Sequence, residues 1–231
     1  MSRVSTAHDA APPALAKHTR RKEARPGELL EAALDLFVEK GYAATKVEDV
    51  AKRAGVSKGT LFLYFPSKED LFKAVVRENI SGHFAEWRQI IEHYEGTSGD
   101  MLQCCIQNWW QHIGATKASG ISKLMMSEAR NFPELATFYR EEVVTPGQAM
   151  IEHALRRGIA SGEFRPMDVQ YGVYMVLAPL LFLATWRNSL GCCGNAERLD
   201  PEKYLATHLD TLLRGFGTNG PIRATNGTPA S

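Results

Sequence analysis

The stretch GVSKGTLFLYFPSKEDL, Gly55 to Leu71, holds a helix stop, a start, a second stop and a second start within seventeen residues. Gly55 suits a backbone with positive φ that a side chain would resist, and Ser57, two residues on, is a natural N-cap. Pro66 ends the short helix that follows. Ser67-Lys68-Glu69-Asp70 then reads as a new helix start, with acids in the first turn where the helix dipole favours them. Leu61 and Phe65, four apart, share the inward face of the short helix, and Val56 plugs its corner. Ser57, Thr60 and Tyr64 fall on the other side, flanked by Lys58, Gly59 and Leu63.

The flanks extend the pattern. Leu30, Ala33, Leu34 and Phe37 recur at helical spacing, which predicts a helix from about Gly27 to Lys40 with Gly41 as its stop. Thr45-Lys46-Val47-Glu48 has the form of a capping box, with the threonine hydroxyl accepting from the third backbone N–H. The helix it opens places Val47, Val50, Ala51 and Ala54 on one face. A fourth helix carries Leu71, Phe72 and Val75 inward and runs to about Ser81. Two short helices joined by a tight turn between longer ones are the sequence form of a helix-turn-helix.

Such an exposed short helix fits the DNA major groove. Lys58 offers a charge to phosphate or guanine, and Gly59 permits close backbone approach. Thr60 and Tyr64 can donate to phosphate oxygens or touch a thymine methyl. Thr45 and Lys46 at one helix start and Lys68 at another are expected to clamp the DNA backbone on either side. Residues 1–80 carry 14 Lys/Arg against 11 Asp/Glu, and the remainder 13 against 15, so a polyanion partner is expected at the N-terminal end.

Residues 27–81 resemble the DNA-binding domain of the TetR/AcrR family of bacterial transcriptional regulators. The run from Leu29 to Phe72 carries that family's pattern through Thr45, Val50, Ala51, Ala54, Gly55, Val56, Ser57, Gly59, Thr60, Phe62, Tyr64, Phe65, Ser67, Lys68, Glu69 and Leu71. The resemblance implies an all-α homodimer, with a helix-turn-helix three-helix DNA-binding domain followed by a helical effector-binding and dimerisation domain. It implies a recognition helix at 57–64; two such helices on a dimer would meet successive major grooves, so a roughly palindromic operator is expected. One position departs: the family usually has tyrosine where Phe62 stands, so a backbone hydrogen bond is lost and Phe62 is given a packing role.

The domain limits expected are a basic arm at 1–24, the DNA-binding domain at 25–80, the regulatory domain at 81–217 and a disordered tail at 218–231. Lys17, Arg20, Arg21, Lys22 and Arg25 suit a minor-groove arm or a solvated tail. Beyond Gly82, helices are expected at 83–95, 99–116, 119–131, 133–161, 166–190 and 200–216. Asp200-Pro201-Glu202 is an N-cap, a first-turn proline and an acid. The helix expected at 166–190 is apolar on most of its circumference, and its most apolar segment, 171–186, is shorter than a membrane span, which favours a buried core helix. Helices 166–190 and 200–216 are the expected dimer surface.

Gln107, Trp109, Trp110, Met125, Phe138, Tyr171, Tyr174, Met175, Phe182 and Trp186 are candidates to line an effector pocket, with Asn108 and His112 to orient a ligand. Pro179 within the apolar helix can kink it and open space. Residues 1–22 lack the apolar core of a secretory signal, and the cysteines at 104–105 and 192–193 have neither zinc nor CxxC spacing. A cytoplasmic protein with reduced thiols and no metal or cofactor is expected. No HExxH, P-loop, GxSxG or dinucleotide-binding pattern is present, which argues against an enzyme. A constitutive architectural DNA-binding protein without effector is the alternative to a ligand-responsive regulator.

Overall fold

The computed structural model describes residues 25–192 and 199–218. The basic arm at 1–24, Cys193 and the tail from 219 lie outside the described residues, as do the side chains of Arg25 and Cys192. The fold is all-α, and the β pairing among the described residues is an isolated bridge between Phe164 and Gly217.

Four helices form the N-terminal part: α1 (Arg25–Ala44), α2 (Val47–Arg53), α3 (Lys58–Tyr64) and α4 (Lys68–Asn79). The expected stop at Gly41 is a kink inside α1, with φ 82° and ψ 170°, so helical backbone resumes briefly before α2. At the α2–α3 corner Gly55 has φ 68°. The Ser57 hydroxyl accepts from Thr60 N–H and caps α3, and Ser67 caps α4 by accepting from Asp70 N–H. Leu61 is fully buried, and Val56 and Phe65 pack against the core beside it.

The remaining helices are α5 (Phe84–Glu92), α6 (Ser98–Trp109), α7 (Ser119–Glu128), α8 (Pro133–Tyr139), α9 (Thr145–Ser161), α10 (Val169–Arg187) and α11 (Pro201–Phe216). π-helical turns extend α6 through Trp110–Gly114 and join α8 to α9 through Arg140–Val144. Thr97, Asp168 and Asp200 cap α6, α10 and α11 with side-chain oxygens, each satisfying N–H groups that a helix start leaves open.

Two apolar clusters hold the molecule together. The first runs from Leu29 in α1 through α2–α4 into Phe84 and Trp87 of α5, Ile113, α7 and α8, so the α2–α3 corner shares its core with the helices that follow. The second joins α6, α9, α10 and α11 around Leu102, Leu155, Val176 and Phe216. At 19 residues α10 is long and apolar enough to cross a membrane by length and composition, which the shorter span expected from sequence did not reach. Its Gly172, Val173, Val176, Leu180 and Leu183 are buried within the protein.

Candidate nucleic-acid interface and effector cavity

The exposed face of α3 is presented by burial of the other one. With Leu61 in the core, Leu63 stands out at 84% exposure, and Phe62 and Tyr64 are each exposed at 37%. Lys58, Gly59 and Lys46 are also exposed. The Lys58 ammonium lies 2.5 Å from the Glu48 carboxylate and 5.6 Å from the centre of the Phe62 ring. Phe62 therefore does not simply pack inward as expected; its ring is a surface for the lysine stem and charge. The Ser57 and Thr60 hydroxyls bond each other at 2.9 Å, which fixes both at the start of α3.

Two residues assigned to a phosphate clamp face the other way. Thr45 is buried and its hydroxyl donates to the carbonyls of Leu36 at 3.0 Å and Gly41 at 2.7 Å. It does not cap α2, whose N-cap is Lys46 without a side-chain bond, so the capping box is absent. The Lys68 ammonium donates to the carbonyls of Tyr42 at 2.9 Å and Thr45 at 3.1 Å, and sits 4.4 Å from the Tyr42 ring centre. Burial lowers the pKa of Lys68 from its ordinary value. Both side chains are spent on the end of α1 and its turn into α2. Their positions near the helix starts suggested contact with DNA, but Thr45 turns back onto α1 and Lys68 reaches carbonyls more than twenty residues earlier.

A cavity of about 290 Å³ lies among α5, α6, α7, α8, α9 and α10. Phe84, Trp87 and Ile91 wall one side, Trp109 and Met125 another, and Leu177, Leu180 and Leu181 a third. Its polar residues are few: Asn108, Ser122, Tyr139 and Gln148. Arg140 is the charged residue among the described lining, and its guanidinium is mostly exposed, 3.7 Å from Glu141. The Tyr139 and Ser122 hydroxyls bond each other at 3.0 Å, and burial raises the Tyr139 pKa. Burial, with Cys104 alongside, pushes the Cys105 thiol in the wall up to about 12, which leaves it a neutral, unreactive surface.

Of the expected pocket residues, Trp109 and Met125 line this cavity, as does Asn108. Gln107 is exposed, and Trp110 stacks under the Arg187 guanidinium at 5.1 Å. Phe138 is buried against the Lys73 and Arg77 charges of α4. Tyr171, Tyr174, Met175 and Phe182 project from the outer face of α10, between 48% and 66% exposed, and Trp186 packs beside Phe182 rather than in the cavity. Because α10 is apolar all round, its sequence did not say which face looked inward. The α8–α9 wall, with Tyr139, Val143 and Gly147, was missed although these residues recur four apart, at helical spacing.

Comparison with known proteins agrees with this geometry. Residues 29–75 match the model of bacterial regulatory proteins of the tetR family, and residues 96–189 match the tetracyclin repressor-like C-terminal domain. The transcriptional repressor KstR2 of Mycobacterium tuberculosis is 32% identical over 147 residues, covering 63% of this chain and 72% of that protein. This chain belongs to the TetR family of transcriptional regulators. Another family member, KstR2 of Mycolicibacterium smegmatis, is 29% identical over 196 residues, covering 84% of this chain and 93% of the relative. The fold is also that of FadR from Bacillus subtilis, solved in complex with stearoyl-CoA, with a TM-score of 0.67, 23% identity and coverage of 82% and 98%.

Proposed function

We propose that this protein is a cytoplasmic repressor that binds a palindromic operator as a homodimer and leaves it when an apolar effector fills the cavity. The observation that carries this reading is shared packing. Phe84, Trp87, Ile113 and Met125 line the cavity and belong to the same apolar cluster as Leu61 of α3. A molecule that repacks the cavity thus acts on the core that orients the reading helix. Lys46, Ser57, Lys58, Gly59, Thr60, Leu63 and Tyr64 form the DNA-facing set, and residues 25–80 and 81–217 are the reading and regulatory units.

The effector of this reading is apolar in its body, since the described residues lining the cavity are mostly apolar and include no Asp or Glu; an anionic end would sit toward the exposed Arg140 at its edge. The acyl-CoA bound by FadR is one molecule of that kind. The outer face of α10, continued by Tyr204 of α11 at 6.2 Å from Phe182, is the dimer surface of this reading. An effector that prefers the DNA-incompetent arrangement weakens operator binding by no more than its differential affinity. The test is selection of duplexes from a random pool, followed by gel-shift titration with stearoyl-CoA and other apolar anions. Selection of palindromes released by one such compound supports the reading; binding without sequence preference would instead indicate the architectural alternative.

A further inference from the structure

The end of α1 past the Gly41 kink is held by opposite charges from distant parts of the chain. The Glu128 carboxylate, at the end of α7, accepts from Tyr42 N–H at 3.0 Å and from Ala43 N–H at 3.2 Å. The Lys68 ammonium takes the Tyr42 carbonyl. The peptide unit between Tyr42 and Ala43 therefore has its oxygen on a cation and its N–H on an anion, both of them charge-assisted bonds. Gly41 completes the fit, since a Cβ there would lie 2.5 Å from Glu128 Oε1.

Glu128 also stands beside the cavity. Met125, Met126 and Ala129, from the same stretch of chain, line it. The opposite end of α7 rests on α1, where a Cβ on Gly120 would meet Val38 at 2.6 Å and Lys117 pairs with Asp35 at 2.7 Å. Helix α7 thus has the cavity on one side and the reading unit on the other. Beyond the clamped end of α1 comes α2, whose Glu48 pairs with Lys58 of α3.

We propose that Glu128 is the positioning residue that couples the cavity to the DNA-reading helix. Filling the cavity shifts the last turn of α7, releases the Tyr42 and Ala43 amides and frees α2 and α3 to reorient. The coupling rests on the effector-controlled reading above and names the contact that carries the control. Bonds already at 3.0 and 3.2 Å pass out of hydrogen-bond range with a displacement of roughly half an ångström, so a small movement of α7 has a discrete effect.

The test replaces the unidentified effector with a side chain. Ala136→Phe adds a ring from the α8 wall of the cavity. Operator affinity is measured on a duplex that the full-length protein selects from a random pool, and exchange of the Tyr42 and Ala43 amides is followed by NMR. With Glu128 present, A136F speeds exchange at both amides about tenfold and weakens operator binding by roughly 5–150-fold. In a Glu128→Ala background the amides exchange fast already, and A136F changes neither measurement. Glu128→Gln keeps an acceptor oxygen and retains part of the response, which a merely structural role would not produce. A136F weakening binding equally with and without Glu128, or leaving the two amides unmoved, overturns the coupling. Should A136F fail to fold, Val143→Phe fills the cavity from the neighbouring wall. Failure to select any duplex defeats the regulator reading itself, whereas a selected operator with a response independent of Glu128 defeats the coupling alone.

Discussion

Gly41 and Gly55 both have positive φ, yet alanine at the two positions should cost very different amounts. At Gly55 a Cβ meets nothing within 4 Å, so only the backbone preference is lost, about 1–2 kcal/mol. At Gly41 the angles of φ 82° and ψ 170° lie in a region that is essentially glycine's own, at about 1–3 kcal/mol. The new Cβ would also sit 2.5 Å from Glu128 Oε1 and push the carboxylate off its two amides. The Ala43 N–H can turn to water, but the part-buried Tyr42 N–H loses a charged partner worth about 1.5–3 kcal/mol. The total is about 4 kcal/mol for Gly41→Ala. At roughly 2–4 °C per kcal/mol for a chain of this size, Tm falls by roughly 8–16 °C for G41A and roughly 2–8 °C for G55A. Thermal melts followed by circular dichroism measure both. In a Glu128→Ala background the steric part disappears and G41A costs only its backbone strain. Equal losses at the two glycines, or a G41A penalty unchanged by removing the carboxylate, would refute the clamp geometry.

Other substitutions separate the roles of neighbouring residues. Lys68→Met should destabilise the fold by about 2–4 kcal/mol in urea titrations, since the Tyr42 and Thr45 carbonyls lose a charged donor. The salt dependence of DNA binding by the folded fraction should keep its slope, which a lost phosphate contact would reduce by about one unit. Phe182→Glu puts a charge on the apolar outer face of α10 and should yield a monomer in light scattering, with weaker operator binding and little change in Tm. Stability should also fall in alkali. Burial pushes both the Cys105 thiol and the Tyr42 phenol up to about 12, so the folded state favours their neutral forms. Their contribution is complete below pH 9, the ordinary thiol value, and is lost as pH rises toward 12. Urea midpoints that stay flat from pH 8.5 to 11 would contradict that sign.

The parts of this molecule that could be read from sequence are those fixed by neighbours a few residues away. Gly55, Ser57, Pro66 and Ser67 set the limits of α3 through local caps and turns, and the Ser57 and Ser67 hydroxyls cap α3 and α4 where those helices were expected to start. Lys68 was misread because its partner lies at Tyr42, twenty-six residues back, and Thr45 because its hydroxyl turns back to Gly41 and Leu36, four and nine residues earlier, instead of forward onto α2. Local rules favoured a cap and a phosphate contact, and packing at the end of α1 overrode both. The cavity was legible only as a supply of large apolar side chains. Which of them face it depends on how α10 is turned, and a helix apolar on every side carries no periodic signal for that. Glu128 was invisible for the same reason: its role exists only where α7 meets the end of α1, 85 residues earlier.

The central claim is that α3 reads a specific palindrome. Its most direct test is selection of bound duplexes from a random pool by the full-length protein, repeated with Tyr64→Ala and Leu63→Ala. The account predicts an inverted repeat whose half-sites present successive major grooves about 10 bp apart. It predicts that Leu63→Ala relaxes the preference at one position per half-site and that Tyr64→Ala weakens binding. A pool with no enriched sequence, or the same enriched sequence and affinity from both variants, would contradict it.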